Sequence, residues 1–169
     1  PVLVGSAVAA HAGGLRPKVA VLALVGALLL QIGSNLVNDA ADFAKGADTA
    51  DRLGPARATQ QGWLSSRQVW TAAIVCFATA FSCGVELTKL VVVGSGWIVV
   101  TVGLSGIACA ILYTAGRKPL GYLGLGDVLV FLFFGPLAVG GTAGFQLGRL
   151  PHAALWASVS VGALATAIL

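Results

Sequence analysis

The sequence predicts an all-α fold, a polytopic transmembrane helix bundle, and three observations carry that reading. Apolar residues fill 57% of the 169 positions and charged residues only 9%. The mean hydropathy is +0.93. The few charges stand between long runs that have none. A soluble domain carries about 25% charged residues, and this chain cannot furnish such a polar shell. Most of its surface must face lipid.

Five runs lack Asp, Glu, Lys and Arg: residues 19–38, 68–85, 90–116, 128–148 and 150–169. Each matches or approaches the ~20 residues that carry a helix across a bilayer. Residues 1–15 are also uncharged and read as the end of an earlier span, so about six spans are expected. The runs are continuously apolar, without the period-2 alternation of barrel strands, which favours helices. The 23 glycines suit close helix packing, with Gly103, Ser105 and Gly106, and Gly140, Gly141 and Gly144, as expected contacts. Cys76, Cys83 and Cys109 lie in apolar runs without metal-ligand spacing and read as small buried hydrophobes. The chain opens at Pro1 without a basic leader and stops inside an apolar run, so it reads as a fragment of a longer protein.

The net charge of +4 comes from scattered basic residues, not a stripe, and nucleic acid is not an expected partner. Loops near 11–18, 86–89 and 149–152 are short, whereas 39–67 and 114–127 are polar and lie an even number of spans apart. Those two segments share a side that holds Lys45, Arg52, Arg57, Arg67, Arg117 and Lys118. The other side holds Arg16, Lys18, Lys89 and Arg149. The positive-inside rule makes the first side cytoplasmic.

The second run leads into "QIGSNLVNDAADFAKGAD". If the helix continues, Asn35, Asp39 and Asp42 fall at i, i+4 and i+7 on one face, and Asn38 stands i, i+4 to Asp42. Carboxylates this close repel unless a cation neutralises them. Oxygen ligands suit Mg²⁺, which takes one or two carboxylates together with substrate phosphates. Arg57 follows a turn-forming "RLGP", and Arg117 and Lys118 come from the other loop on the same side. Cations facing a metal cage suit a diphosphate. Asp127 starts a span, where a carboxylate also favours the helix N-terminus. Asp48 and Asp51 are as compatible with a solvated helix end as with a site.

The string "NDAADFAKGADTADRLGP" resembles the first aspartate-rich motif of the UbiA superfamily of intramembrane prenyltransferases. The later string "YTAGRKPLGYLGLGDVLVFLFFGPLAVGGT" resembles its 1,4-dihydroxy-2-naphthoate polyprenyltransferase branch. The resemblance covers essentially the whole chain. Many superfamily members read N-D-x-x-D-x-x-x-D; here the last position is Gly46, with Asp48 two residues on.

The resemblance implies a single domain over 1–169, an incomplete UbiA-type prenyltransferase fold. Its second acidic motif would lie beyond Leu169, and the fragment alone would be inactive. It implies a Mg²⁺-dependent enzyme of the cell membrane, with a prenyl group moving from polyprenyl diphosphate to 1,4-dihydroxy-2-naphthoate. Loss of diphosphate and CO₂ would give demethylmenaquinone. Asp39 and Asp42 would be catalytic, and Asn38, Asp39, Asp42 and Asp48 would hold the metal. Asn35, Arg57, Lys118, Tyr122 and Asp127 would bind substrate. Competing readings are a 4-hydroxybenzoate or homogentisate acceptor and, from another class, a small-molecule transporter. Absence of an internal repeat and the position of the acids at a helix end speak against the transporter.

Overall fold

The structure is a computed structural model that describes residues 1–46, 56–91, 96–116 and 119–168. Those residues are helical or lie in turns and connections. The helices are α1 (Val2–His11), α2 (Pro17–Ala44), α3 (Ser66–Leu90), α4 (Gly96–Thr114), α5 (Gly126–Leu132), α6 (Gly141–Leu147) and α7 (His152–Ala167). A 3₁₀ turn (Gly121–Leu123) precedes α5, and a π-helical stretch (Phe133–Gly140) joins α5 to α6. Helices α5 and α6 and the π stretch form one rod, Gly126–Leu147. With α2, α3 and α4 it makes four helices long and apolar enough to cross a membrane. Helices α1 and α7 are shorter apolar helices within the described residues. The expected runs are therefore found as helices.

The ends of the helices follow local chemistry. Pro17, whose missing N–H costs nothing at a first helical position, starts α2. Gly46 closes α2 with φ +67°, a left-handed conformation that glycine adopts without strain. This gives a physical reason for glycine where many superfamily members have aspartate. Ser65 and Gln68 form a reciprocal capping box that starts α3. The expected loop at 86–89 is corrected: α3 runs to Leu90. Glu86 and Lys89 pair at 2.6 Å in its last turn. A helix end that reaches water carries charge without unwinding, so charge alone overstates the loop.

Packing forms two groups. Helices α2, α3 and α4 pack together, and the Gly126–Leu147 rod packs with α7 and α1. Contacts of α2 with α1 and α6 join the groups. Below the polar end of α2, Val37, Ala73 and Phe77 are buried among Leu36, Trp70, Ile107 and Ile111. The closest approaches differ from those expected. A Cβ at Gly135 would meet the Ser158 carbonyl oxygen at 2.5 Å, and one at Gly162 would meet the Phe131 carbonyl oxygen at 2.9 Å. Gly103 and Gly144 border open space, and Gly140 keeps an ordinary contact with Ser158. Glycine count alone does not show which face meets a neighbour.

The outward surface is apolar: Leu28, Ile32, Ile74, Val75, Leu104, Leu132, Val159 and Leu164 are all exposed. The Thr79, Ser82, Ser105, Ser158 and Ser160 hydroxyls donate to carbonyls of their own helices. Those bonds satisfy hydroxyls where no water is at hand. The chain is that of a multi-pass membrane protein.

Candidate active site at the polar end of α2

Helix α2 continues without a break to Ala44, so it carries its apolar span directly into Asn35, Asn38, Asp39 and Asp42. These side chains do not share one set of partners. Asn38 looks toward α4: the Thr114 hydroxyl, at the last residue of that helix, donates to Asn38 Oδ1 at 2.8 Å. Asp39, 6% exposed, looks toward the segment after the α2–α3 connection. Its Oδ2 accepts the Ala58 N–H at 3.0 Å and its Oδ1 accepts the Thr59 N–H at 3.3 Å. Asn35 has an exposed side chain, and its carbonyl oxygen accepts from Arg57 Nη1 at 3.4 Å.

Asp42 stands between the two sets. Its Oδ2 lies 3.8 Å from Arg57 Nη2, and both side chains are only partly exposed, at 16% for Asp42 and 20% for Arg57. Its Oδ1 accepts a long contact from the Tyr122 hydroxyl at 3.5 Å. The 3₁₀ turn that carries Tyr122 thus reaches the same mouth as α2. Lys45, one turn beyond Ala41, donates to the Thr114 carbonyl oxygen, and its ammonium lies 5.3 Å from the centre of the Tyr122 ring. This ammonium-on-ring geometry is attractive in its own right.

The structure therefore brings Asn35, Asn38, Asp39, Asp42, Arg57 and Tyr122 to one end of the bundle. The 39–67 and 114–127 segments meet there through their described residues. Asp127 stands apart from this contact set. It is exposed in the first turn of α5, and its backbone carbonyl accepts from the Thr166 hydroxyl at 3.4 Å. Asp48, Asp51, Arg117 and Lys118 lie outside the described residues.

Sequence reasoning missed Thr114 and Lys45. The signal for Thr114 was its place at the end of the span on the same side as Asn38. Lys45 stands three residues after Asp42 and was counted only toward topology.

A divalent cation fits part of this arrangement. Asn38 Oδ1 and the Asp42 carboxylate are oxygen donors one helical turn apart. Among the described residues no cluster holds three or more His, Cys, Asp or Glu side chains. Mg²⁺ does not require one, because it keeps places for water and phosphate oxygens. Asp39 is more deeply buried, and each of its oxygens accepts one backbone N–H and keeps a second lone pair.

Comparison with known proteins agrees with this architecture. The UbiA prenyltransferase family matches residues 1–169. The chain is 40% identical over 171 residues to "1,4-dihydroxy-2-naphthoate octaprenyltransferase" of Escherichia coli (strain K12), covering 99% of the chain and 55% of that protein. It is 40% identical over 169 residues to the protein of the same name from Mycobacterium tuberculosis (strain ATCC 25618 / H37Rv), covering 100% of the chain and 56% of that protein. It is 34% identical over 161 residues to human "UbiA prenyltransferase domain-containing protein 1", covering 89% of the chain and 44% of that protein. The chain thus spans about half the length of the curated relatives it matches.

Proposed function

The chain belongs to the UbiA prenyltransferase family, and on that premise we propose that its full-length protein prenylates 1,4-dihydroxy-2-naphthoate. The donor is a polyprenyl diphosphate. The carbon–oxygen bond of the allylic diphosphate breaks, and its electron pair leaves with diphosphate. The naphthoate ring attacks through the carbon that bears its carboxylate, which departs as CO₂. The product enters menaquinone biosynthesis as demethylmenaquinone at the quinol level.

One observation supports this most: Asp42, one helical turn from the Asn38 carboxamide, faces Arg57 at the mouth of an apolar bundle. Mg²⁺, when bound, neutralises the charge that collects on the leaving diphosphate. Asn38 and Asp42 would hold it, with Asp48 a further candidate. Arg57 supplies a fixed cation beside them, with geometry suited to phosphate oxygens. The Thr114 hydroxyl fixes the rotamer of Asn38, so its carboxamide oxygen needs little reorganisation to bind. Lys118 joins the diphosphate cations, and Tyr122 borders the acceptor. The apolar outer faces guide the prenyl tail from the bilayer. Residues 1–169 make up one prenyltransferase unit that supplies one acidic half of the site and is inactive alone. The site end faces the cytoplasm from the cell membrane, a reading supported by six basic residues there against four at the other end.

Acceptor choice is tested by membranes containing the full-length protein, one prenyl diphosphate, and either 1,4-dihydroxy-2-naphthoate or 4-hydroxybenzoate. Faster turnover of the naphthoate is expected. Faster turnover of 4-hydroxybenzoate would overturn the acceptor and leave the diphosphate chemistry standing.

A further inference from the structure

The two aspartates of the α2 end are set in different environments. Asp42 is reachable from the mouth and faces the guanidinium of Arg57. Asp39 is buried at 6% exposure, and each of its oxygens accepts a backbone N–H. The donors, Ala58 and Thr59, open a helix-like turn. Within it the Gln61 N–H donates to the Arg57 carbonyl oxygen at 3.0 Å, and the Trp63 N–H to that of Ala58 at 3.0 Å. The Gly62 N–H donates to the Thr59 carbonyl oxygen at 3.2 Å. The first N–H groups of such a turn have no partner inside it and carry partial positive charge. A carboxylate is the side chain best matched to them, and here it comes from a helix 19 residues away in sequence.

We propose that Asp39 is a positioning residue: its carboxylate clamps the backbone of Ala58 and Thr59 and so holds the adjoining Arg57 guanidinium over Asp42. Its burial and its two backbone donors direct this carboxylate to the overlying segment, whereas Asp42 is the acid that stays reachable from the mouth. The clamp gives the order N-D-A-A-D a division of labour. Its first acid fixes the backbone of the overlying segment, and its second meets that segment's side chain and the incoming charge. Residue Arg57 is thereby held at both ends, its backbone through its neighbours and its Nη1 through the Asn35 carbonyl oxygen.

This inference rests on the diphosphate reading of the mouth, and its test separates the two. Full-length wild type, Asp39→Asn, Asp39→Ala, Arg57→Ala and the Asp39→Ala/Arg57→Ala double variant are compared. The readouts are KM for prenyl diphosphate, kcat, the Mg²⁺ concentration at half-maximal rate, and hydrogen exchange of peptides spanning 56–65. Asp39→Ala and Arg57→Ala are each expected to raise the diphosphate KM by about tenfold or more, the scale of a lost charge-assisted contact. The double variant should be no worse than Arg57→Ala alone, because residues that act through one another are not additive.

The Mg²⁺ requirement should stay unchanged in Asp39→Ala, and exchange at 56–65 should rise in Asp39→Ala but not in Arg57→Ala. Asp39→Asn keeps one acceptor oxygen and should fall between wild type and Asp39→Ala; it carries the comparison if the alanine variant does not fold. Multiplying effects with a raised Mg²⁺ requirement and unchanged exchange would make Asp39 a metal ligand and overturn the clamp. If wild type transfers no prenyl group to any aromatic acceptor, the functional reading falls. Exchange at 56–65 then still decides the clamp: a rise in Asp39→Ala supports it, and no change overturns it.

Discussion

The two ends of the bundle each gather polar side chains, and they do so in opposite ways. At the end away from the candidate site, Gln146 is buried at 4% exposure. Its Oε1 accepts the Arg16 N–H at 2.9 Å, while its Nε2 donates to Ser6 Oγ at 3.1 Å and to the Thr142 carbonyl oxygen at 3.4 Å. That cluster is neutral in its side chains, and the amide is bonded at both ends. It ties α1, α2 and α6 together. At the other end, Asn38, Asp39, Asp42, Arg57 and Tyr122 bring together two acids and a guanidinium, with Asp42 and Arg57 still reachable from outside. Neutral saturation is what a buried structural network needs. Retained charge in a partly open mouth is costly for folding alone, and the proposed function gives it a charged ligand to meet.

The largest contrast is expected from Asp42→Asn in the full-length protein. The change keeps shape and removes one charge. Prenyl transfer should fall by about a hundredfold or more, the scale of losing one preorganised electrostatic contact to a leaving group. Yield and melting temperature in detergent should stay near wild type, because a partly wet carboxylate adds little to packing. Near-normal turnover would reduce Asp42 to the solvated end of a helix.

The opposite pattern is expected at Gln146. Gln146→Ala strands the part-buried Arg16 N–H and should lower stability by about 1 kcal/mol. Turnover per folded molecule should change little. Denaturation in mixed micelles together with active-fraction counting measures both, and a selective loss of diphosphate affinity would break the contrast. The smallest effect belongs to Tyr122→Phe, which deletes a 3.5 Å contact to Asp42 but keeps the ring beside Lys45. A few-fold loss of rate is expected from steady-state assays, and a loss as large as that of Asp42→Asn would give the phenol a direct chemical part.

How far these ends could be read from sequence follows the same division. The spans were legible because lipid demands about 20 uncharged residues, and that requirement shows in any window of the chain. The placement of Asn38 and Asp42 one turn apart at the polar end of α2 was legible because i, i+4 spacing on a helix is a local rule. The i, i+7 face that grouped Asn35 with Asp39 and Asp42 was too coarse. Asp39 turns to Ala58 and Thr59, and Asn35 contributes its backbone carbonyl rather than its amide. Those partners come from across a connection, where periodicity carries no information. Gln146 was not singled out at all, since an isolated glutamine in an apolar run shows no partner until Ser6 and Arg16 are folded beside it.

Binding of inorganic diphosphate by the full-length protein tests the charged mouth most directly. It can be followed by calorimetry with and without Mg²⁺ in wild type, Asp42→Asn and Gln146→Ala. Wild type and Gln146→Ala should bind diphosphate with similar affinity in the presence of Mg²⁺ and far more weakly without it, whereas Asp42→Asn should lose most of the Mg²⁺-dependent binding. Equal, Mg²⁺-dependent binding by Asp42→Asn and wild type would contradict the assignment of the α2 end as the diphosphate site.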